Sequence, residues 1–126
     1  MIVLDSSALV ALLLREPGHG TVAGRLAEAC VSAVNISEVL ARMSREGIAP
    51  RALLSRLAAL GPSIVAFDQA QAVLASEMRE QARSHGIGLA DCCCLALAQL
   101  RNVPVMTADR AWKELNLSVE IVLIRG

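Results

Sequence analysis

The chain has 126 residues, 55% of them hydrophobic and 19% charged, with twelve Lys and Arg against twelve Asp and Glu. A chain of this size is one ordinary domain, read as spanning residues 1–126, that buries about two-thirds of its unfolded surface. The apolar content excludes a disordered chain, and zero net charge excludes a highly basic nucleic-acid coat while leaving room for a local basic patch.

Ile2-Val3-Leu4 is a short apolar run bounded by Asp5 and two serines, and it reads as a buried strand. Ser6 or Ser7 caps a helix to about Arg15, which Glu16-Pro17-Gly18 breaks. A second helix covers roughly Gly20 to Ala29, and Val31 to Val34 is a second strand. Asn35 opens a third helix that ends at Gly47. Pro50 starts a fourth, with Leu53, Leu54, Leu57 and Leu60 on one face, closed by Gly61-Pro62. Ile64 to Phe67 is a third strand, followed by a long helix from Asp68 to about Ser84. Leu89 to Leu100 is nearly all apolar and predicts a helix buried on most sides. Val103 to Met106 is a fourth strand, Ala108 to Glu114 a short helix, and Val119 to Ile124 a fifth strand.

Strands alternating with helices imply crossover connections. The fold class is therefore α/β, a central parallel five-stranded sheet with helices on both faces. Phe67 and Trp112 are the only aromatics, too few for a surface on which bases stack. The longest unbroken apolar run, Ala8 to Leu14, is far short of the roughly 20 residues of a membrane span. The N-terminus lacks a positive segment and has Asp5 inside its apolar stretch, so it reads as structure rather than a signal peptide, and the protein as cytoplasmic. Cys92, Cys93 and Cys94 are consecutive and point about 100° apart on a helix, so they cannot chelate one ion. With Cys30 they read as small buried apolar residues of a reducing compartment. His19 and His85 read as surface residues.

In a parallel sheet, ligands bind beyond the carboxyl ends of the strands. Four acids belong there. Asp5 follows strand one, Glu38 lies in the first turn after strand two, and Asp109 follows strand four. Asp91 starts the helix that precedes strand four, which must run antiparallel to the strands. Each has a bland alternative: Asn35-x-x-Glu38 resembles a capping box, Asp91 and Asp109 suit helix first turns, and Asp5 suits a strand-end turn. A cap contributes about 1 kcal/mol, whereas two like charges about 4 Å apart repel by roughly 4 kcal/mol at an effective dielectric of 20. Four converging carboxylates therefore call for a cation. Oxygen donors without nearby His or Cys favour Mg²⁺, with Mn²⁺ as a substitute, over Zn²⁺.

Four segments carry a resemblance: Val3-Leu4-Asp5-Ser6-Ser7-Ala8-Leu9, Asn35-Ile36-Ser37-Glu38-Val39, Gly88-Leu89-Ala90-Asp91-Cys92 and Thr107-Ala108-Asp109-Arg110-Ala111-Trp112. In order and spacing they resemble the acidic motifs of the PIN domain, above all the VapC toxins of toxin–antitoxin pairs. The resemblance covers essentially the whole chain. It implies a PIN-like three-layer sandwich and a Mg²⁺-dependent endoribonuclease held inactive by a VapB-type antitoxin. It makes Asp5, Glu38, Asp91 and Asp109 the catalytic, metal-holding quartet, with Asp5 and Asp91 foremost, and Ser7 and Thr107 the supporting hydroxyls. Ser6 stands where Thr is frequent, and the Cys92–Cys94 run is unusual.

Phosphodiester hydrolysis needs an activated water and neutralised charge at phosphorus, both of which a bound cation supplies. The expected products carry a 5′-phosphate and a 3′-hydroxyl. With the quartet neutralised, twelve basic residues would face eight acids, and Arg15, Arg42, Arg45 and Arg110 are the expected RNA contacts. Leu40, Met43, Ile48, Leu53, Leu54, Leu57 and Leu60 offer more apolar surface than a small sheet covers; the resemblance assigns the surplus to a homodimer and an antitoxin. Two other classes compete. A receiver-like phosphoacceptor would use Asp68 and Thr107, but lacks the acidic pair after strand one and the lysine after strand five; a phosphatase of the haloacid-dehalogenase type has Ser7 where it needs an acid. A non-catalytic binding module would hold no metal.

Overall fold

A computed structural model describes residues 1–126. Its elements in chain order are β1 (Ile2–Leu4), α1 (Ser6–Leu14), α2 (His19–Ala23), a 3-10 turn (Leu26–Glu28) and β2 (Ala29–Ser32). Then come α3 (Ala33–Ser44), α4 (Pro50–Ala59), β3 (Ser63–Val65), α5 (Gln69–Arg83) and α6 (Leu89–Arg101). β4 (Val105–Thr107), a 3-10 turn (Arg110–Glu114) and β5 (Ile121–Leu123) complete the chain.

All pairings are parallel, in the order β3-β2-β1-β4-β5, as expected for an α/β chain of this pattern. Val3 stands level with Cys30 on one side and Val105 on the other, and Val105 is level with Ile121. Alternation along these strands sends Ile2, Leu4, Val31 and Met106 to one face, where α1 to α4 cover them. Val3, Cys30, Val105 and Ile121 go to the other, against α5 and α6. The result is the three-layer sandwich. Cys92 through Ala98 of α6 are all buried, as its near-continuous apolar sequence predicts. No helix is long and apolar enough to cross a membrane.

Several expected boundaries move. Asp5, not Ser6 or Ser7, caps α1, accepting from the Ala8 amide at 2.8 Å. The second helix is only α2, because the chain tightens into a 3-10 turn before β2, which starts two residues earlier than expected. Ser32 caps α3, so Asn35 and Glu38 form no capping box and Glu38 sits in the second turn. β4 starts at Val105 rather than Val103, since Pro104 has no N–H for the ladder. The third and fifth strands are shorter than expected, and the segment after β4 is 3-10 rather than α-helical.

Candidate active site

The strand order reverses direction between β1 and β4: the chain steps outward from β1 through β2 to β3, then resumes on the other side with β4 and β5. A crevice opens at the carboxyl end of such a switch point. Asp5 leaves β1 there and Thr107 ends β4 beside it.

Asp5 is 2% exposed and its carboxylate accepts from three donor groups. Oδ1 accepts from the Ala8 amide at 2.8 Å and the Ser7 hydroxyl at 2.7 Å; Oδ2 accepts from the Thr107 hydroxyl at 2.6 Å. Ser7 Oγ in turn accepts from the Ala108 amide at 2.9 Å, and Thr107 Oγ1 from the Asp109 amide at 3.0 Å. Two hydroxyls thus relay the start of the Asp109 loop onto Asp5. Burial raises the Asp5 pKa to about 6, against the pull of Thr107, Ser7 and Ala8, and the charge of Asp91 adds to the rise.

Asp91 lies in the first turn of α6 and accepts from the Gly88 amide at 3.3 Å. Burial also raises its pKa, opposed by the Gly88 bond and reinforced by Glu38 and Asp109. Glu38 is exposed; it accepts from Ser6 and, at 3.0 Å, from Asn35 Nδ2. Asp109 is exposed and caps the 3-10 turn, accepting from the Ala111 amide at 3.0 Å. The four expected acids therefore share one edge and one another's fields. None is ion-paired to an Arg or Lys. Each is held by its own hydrogen bonds, and no three close on a common point as metal ligands. The donor set, all oxygen, suits a hard divalent cation.

Asn35 is a site residue that sequence reasoning took for a cap. It is fully buried, and its Nδ2 donates to Glu38 and, at 3.2 Å, to the Ala90 carbonyl, so it ties α3 to the first turn of α6. Its Oδ1 is buried without a partner. The residue pattern Asn-x-x-Glu carried a usable signal, because side chains three apart on a helix meet.

A cleft of about 400 Å³ opens beside the acids, lined by Ser6, Ser7, Val10, Glu16, Glu38, Arg42 and Arg125. Of the four expected RNA contacts, Arg42 lines this cleft and Arg110 adjoins Asp109. Arg15 and Arg45 close the far ends of α1 and α3 and line nothing here. Arg125 was missed, although a residue just past β5 lies at the carboxyl edge by construction. All four cysteines are free and buried, and burial pushes each thiol pKa up.

The sequence profile of the family described as PIN domain matches residues 2–117. No curated protein matches the chain by sequence. Among solved structures, VapBC2 from Rickettsia felis, bound to a DNA fragment from its promoter, is 17% identical with a TM-score of 0.73, covering 98% of each chain. Mycobacterium tuberculosis VapC20, described as a sarcin-ricin loop cleaving toxin, is 15% identical with a TM-score of 0.70 over 95% of this chain and 99% of that one. FitAcB from Neisseria gonorrhoeae is 22% identical with a TM-score of 0.67 over 97% and 96%.

Proposed function

The chain belongs to the PIN-domain family, and from that premise we propose that it is a Mg²⁺-dependent endoribonuclease, the toxin of a VapBC-type toxin–antitoxin pair. One observation carries the reading. Four carboxylates from four separate segments lie along one edge of the sheet, Asp91 within the field of the other three, with no Arg or Lys paired to any of them. A buried carboxylate held against its own desolvation is a poor structural device, since removing it would relieve the fold. It is a good site for a cation brought from outside.

Asp5 and Asp91 are the ligands we back first, with Glu38 and Asp109 completing the set and Mn²⁺ serving as a substitute. Bound there, a divalent cation would lower the pKa of a water and polarise a phosphoryl oxygen. The protein's own part is orientation. Ser7 and Thr107 hold both Asp5 oxygens, and Asn35 holds Glu38 against the start of α6. Arg42 and Arg110 supply positive charge to an RNA backbone. Hydrolysis by water leaves a 5′-phosphate and a 3′-hydroxyl.

The toxin role is supported by the fold shared with VapC20, described as a sarcin-ricin loop cleaving toxin. It carries two protein partners, a VapB-type antitoxin and a second copy of the chain, acting in the cytoplasm. Exposed Leu54 on α4, Leu60 at its C-cap and Ile64 on β3 offer apolar surface for such contacts. A receiver-like role fits less well. Its phosphoacceptor belongs on a strand beside β1, whereas Asp68 follows β3 at the sheet edge and caps α5.

The test is to map cleavage ends on total cellular RNA with Mg²⁺ and with chelator. New 5′-phosphate ends that appear only with Mg²⁺, and that disappear in Asp5→Asn and Asp91→Asn, are the expected result. Undiminished cleavage by folded Asp5→Asn refutes the site.

A further inference from the structure

The cleft beside the acids has two walls. Ser6, Ser7 and Glu38 form the acidic side, with Arg42 one turn beyond Glu38 on α3. The other side is built where two distant segments meet. Gly18 packs so closely on the strand exit that a Cβ there would fall 2.5 Å from the Ile124 carbonyl oxygen. Its φ of 95° is one that glycine adopts without strain. This contact brings Glu16 and Pro17 against Arg125. The Arg125 guanidinium donates to the Pro17 carbonyl at 2.9 Å and stands 3.6 Å from Glu16.

That arrangement orients a cation without using it up. The carbonyl bond takes one of five N–H groups and carries no net charge. Glu16 neutralises only in part, at a distance beyond a good hydrogen bond. A half-buried pair with this long separation contributes little to stability, so the fold alone gives weak reason for it. A polyanion entering an acidic site, however, needs cations along its path, and the guanidinium fork matches phosphate oxygens.

Resting on the endoribonuclease reading above, we propose that Arg125 is a substrate-binding residue: it grips a backbone phosphate of single-stranded RNA lying in this cleft, across from Arg42, with Glu16 holding it in place until the phosphate arrives. Arg125 does no chemistry on the scissile bond.

The experiment uses the full chain and a labelled single-stranded RNA of mixed sequence. Binding is measured in EDTA over a salt series, and cleavage with Mg²⁺. Arg125→Ala is expected to weaken binding by roughly fivefold to tenfold and to flatten the log–log salt slope by about 0.7, the loss of one phosphate contact. It should raise KM far more than it lowers kcat, with Tm near wild type. Arg125→Lys should recover part of the affinity, and Glu16→Gln should tighten binding by removing a charge that repels phosphate. An Arg125→Ala protein with wild-type KM and salt slope overturns the proposal while leaving the nuclease reading intact. A fall in Tm and kcat together, at unchanged slope, overturns it in favour of a structural pair. If the unaltered chain neither binds nor cleaves RNA, the proposal falls together with the reading beneath it.

Discussion

The middle of the sheet and its β3 edge are built from similar short apolar strands, yet they hold opposite kinds of residue in opposite places. At the carboxyl ends of β1 and β4, Asp5 and Thr107 are polar and almost wholly buried. At the edge, Ile64 is 38% exposed and Leu60, nearby in the chain, 47%. Hydrophobicity alone would place them the other way round. The difference teaches that burial in this fold follows strand order. A residue at the switch point is enclosed by both neighbouring strands and the loops above them, whatever its chemistry, whereas the edge strand has a neighbour on one side only. The buried polar groups persist because every Asp5 oxygen is bonded.

The sharpest test of that contrast is pH. Folding raises the Asp5 pKa from its ordinary 3.8 to about 6 because burial disfavours the carboxylate. The folded state therefore binds this proton more tightly than the unfolded state does. The ionised form destabilises the metal-free protein fully above pH 6, and the penalty fades as pH falls toward 4. It amounts to about 3 kcal/mol. Asp91, raised mainly by burial, acts in the same sense. Metal-free protein should gain stability between pH 7 and pH 5 in urea melts, and Asp5→Asn should be more stable than wild type at pH 7 by up to that amount. The two proteins differ only at residue 5, so the difference isolates Asp5. Equal pH slopes for the two would break the account. On the proposed nuclease reading, saturating Mg²⁺ would favour the ionised form and should flatten the wild-type slope.

A smaller effect is expected one bond away. Thr107→Val keeps the shape of the side chain but removes the donor to Asp5 Oδ2 and the acceptor for the Asp109 amide. The loss should be about 1–2 kcal/mol in stability. Since the Thr107 bond holds the Asp5 pKa down, the acid limb of the cleavage pH profile should move to higher pH. Thr107→Ser should restore both. A profile that stays in place would mean that the hydroxyl serves the loop and not the carboxylate.

How much of this was legible in the residues depends on distance along the chain. Strand–helix alternation was enough for the parallel sheet and for assigning Asp5, Glu38, Asp91 and Asp109 to one edge, because topology alone carries a residue there. Choices among near-equal local options were not legible. Asp5, Ser6 and Ser7 are all good caps, and only the bond to Ala8 singles out Asp5. Ser32 and Asn35 competed in the same way, and the winner left Asn35 free to bridge Glu38 and Ala90. Contacts across a hundred residues lay furthest out of reach. The bond from Thr107 to Asp5 was foreshadowed only by resemblance, and the packing of Gly18 on Ile124, which positions Arg125, left no signal beyond a glycine after a proline.

The smallest effect belongs to the edge. Leu54 and Leu60 were expected among surplus apolar residues, and they are partly exposed while Leu53 and Leu57 of α4 are buried. Leu54 lies about 100° round α4 from Leu53, whereas Leu60 falls near the Leu53 and Leu57 stripe but sits at the C-cap, past the last helical residue. Ile64→Lys on β3 should change chemical-denaturation stability by less than about 0.5 kcal/mol, because a side chain already in water has little burial to lose. A lysine on an edge strand also discourages strand-to-strand pairing between chains. A loss of more than about 1 kcal/mol would mean that this edge is covered in solution, and that enclosure reaches beyond the switch point. Light scattering on the same variant separates the two readings: a second copy docked on β3 would leave with the change, whereas a bare edge would show the same mass before and after.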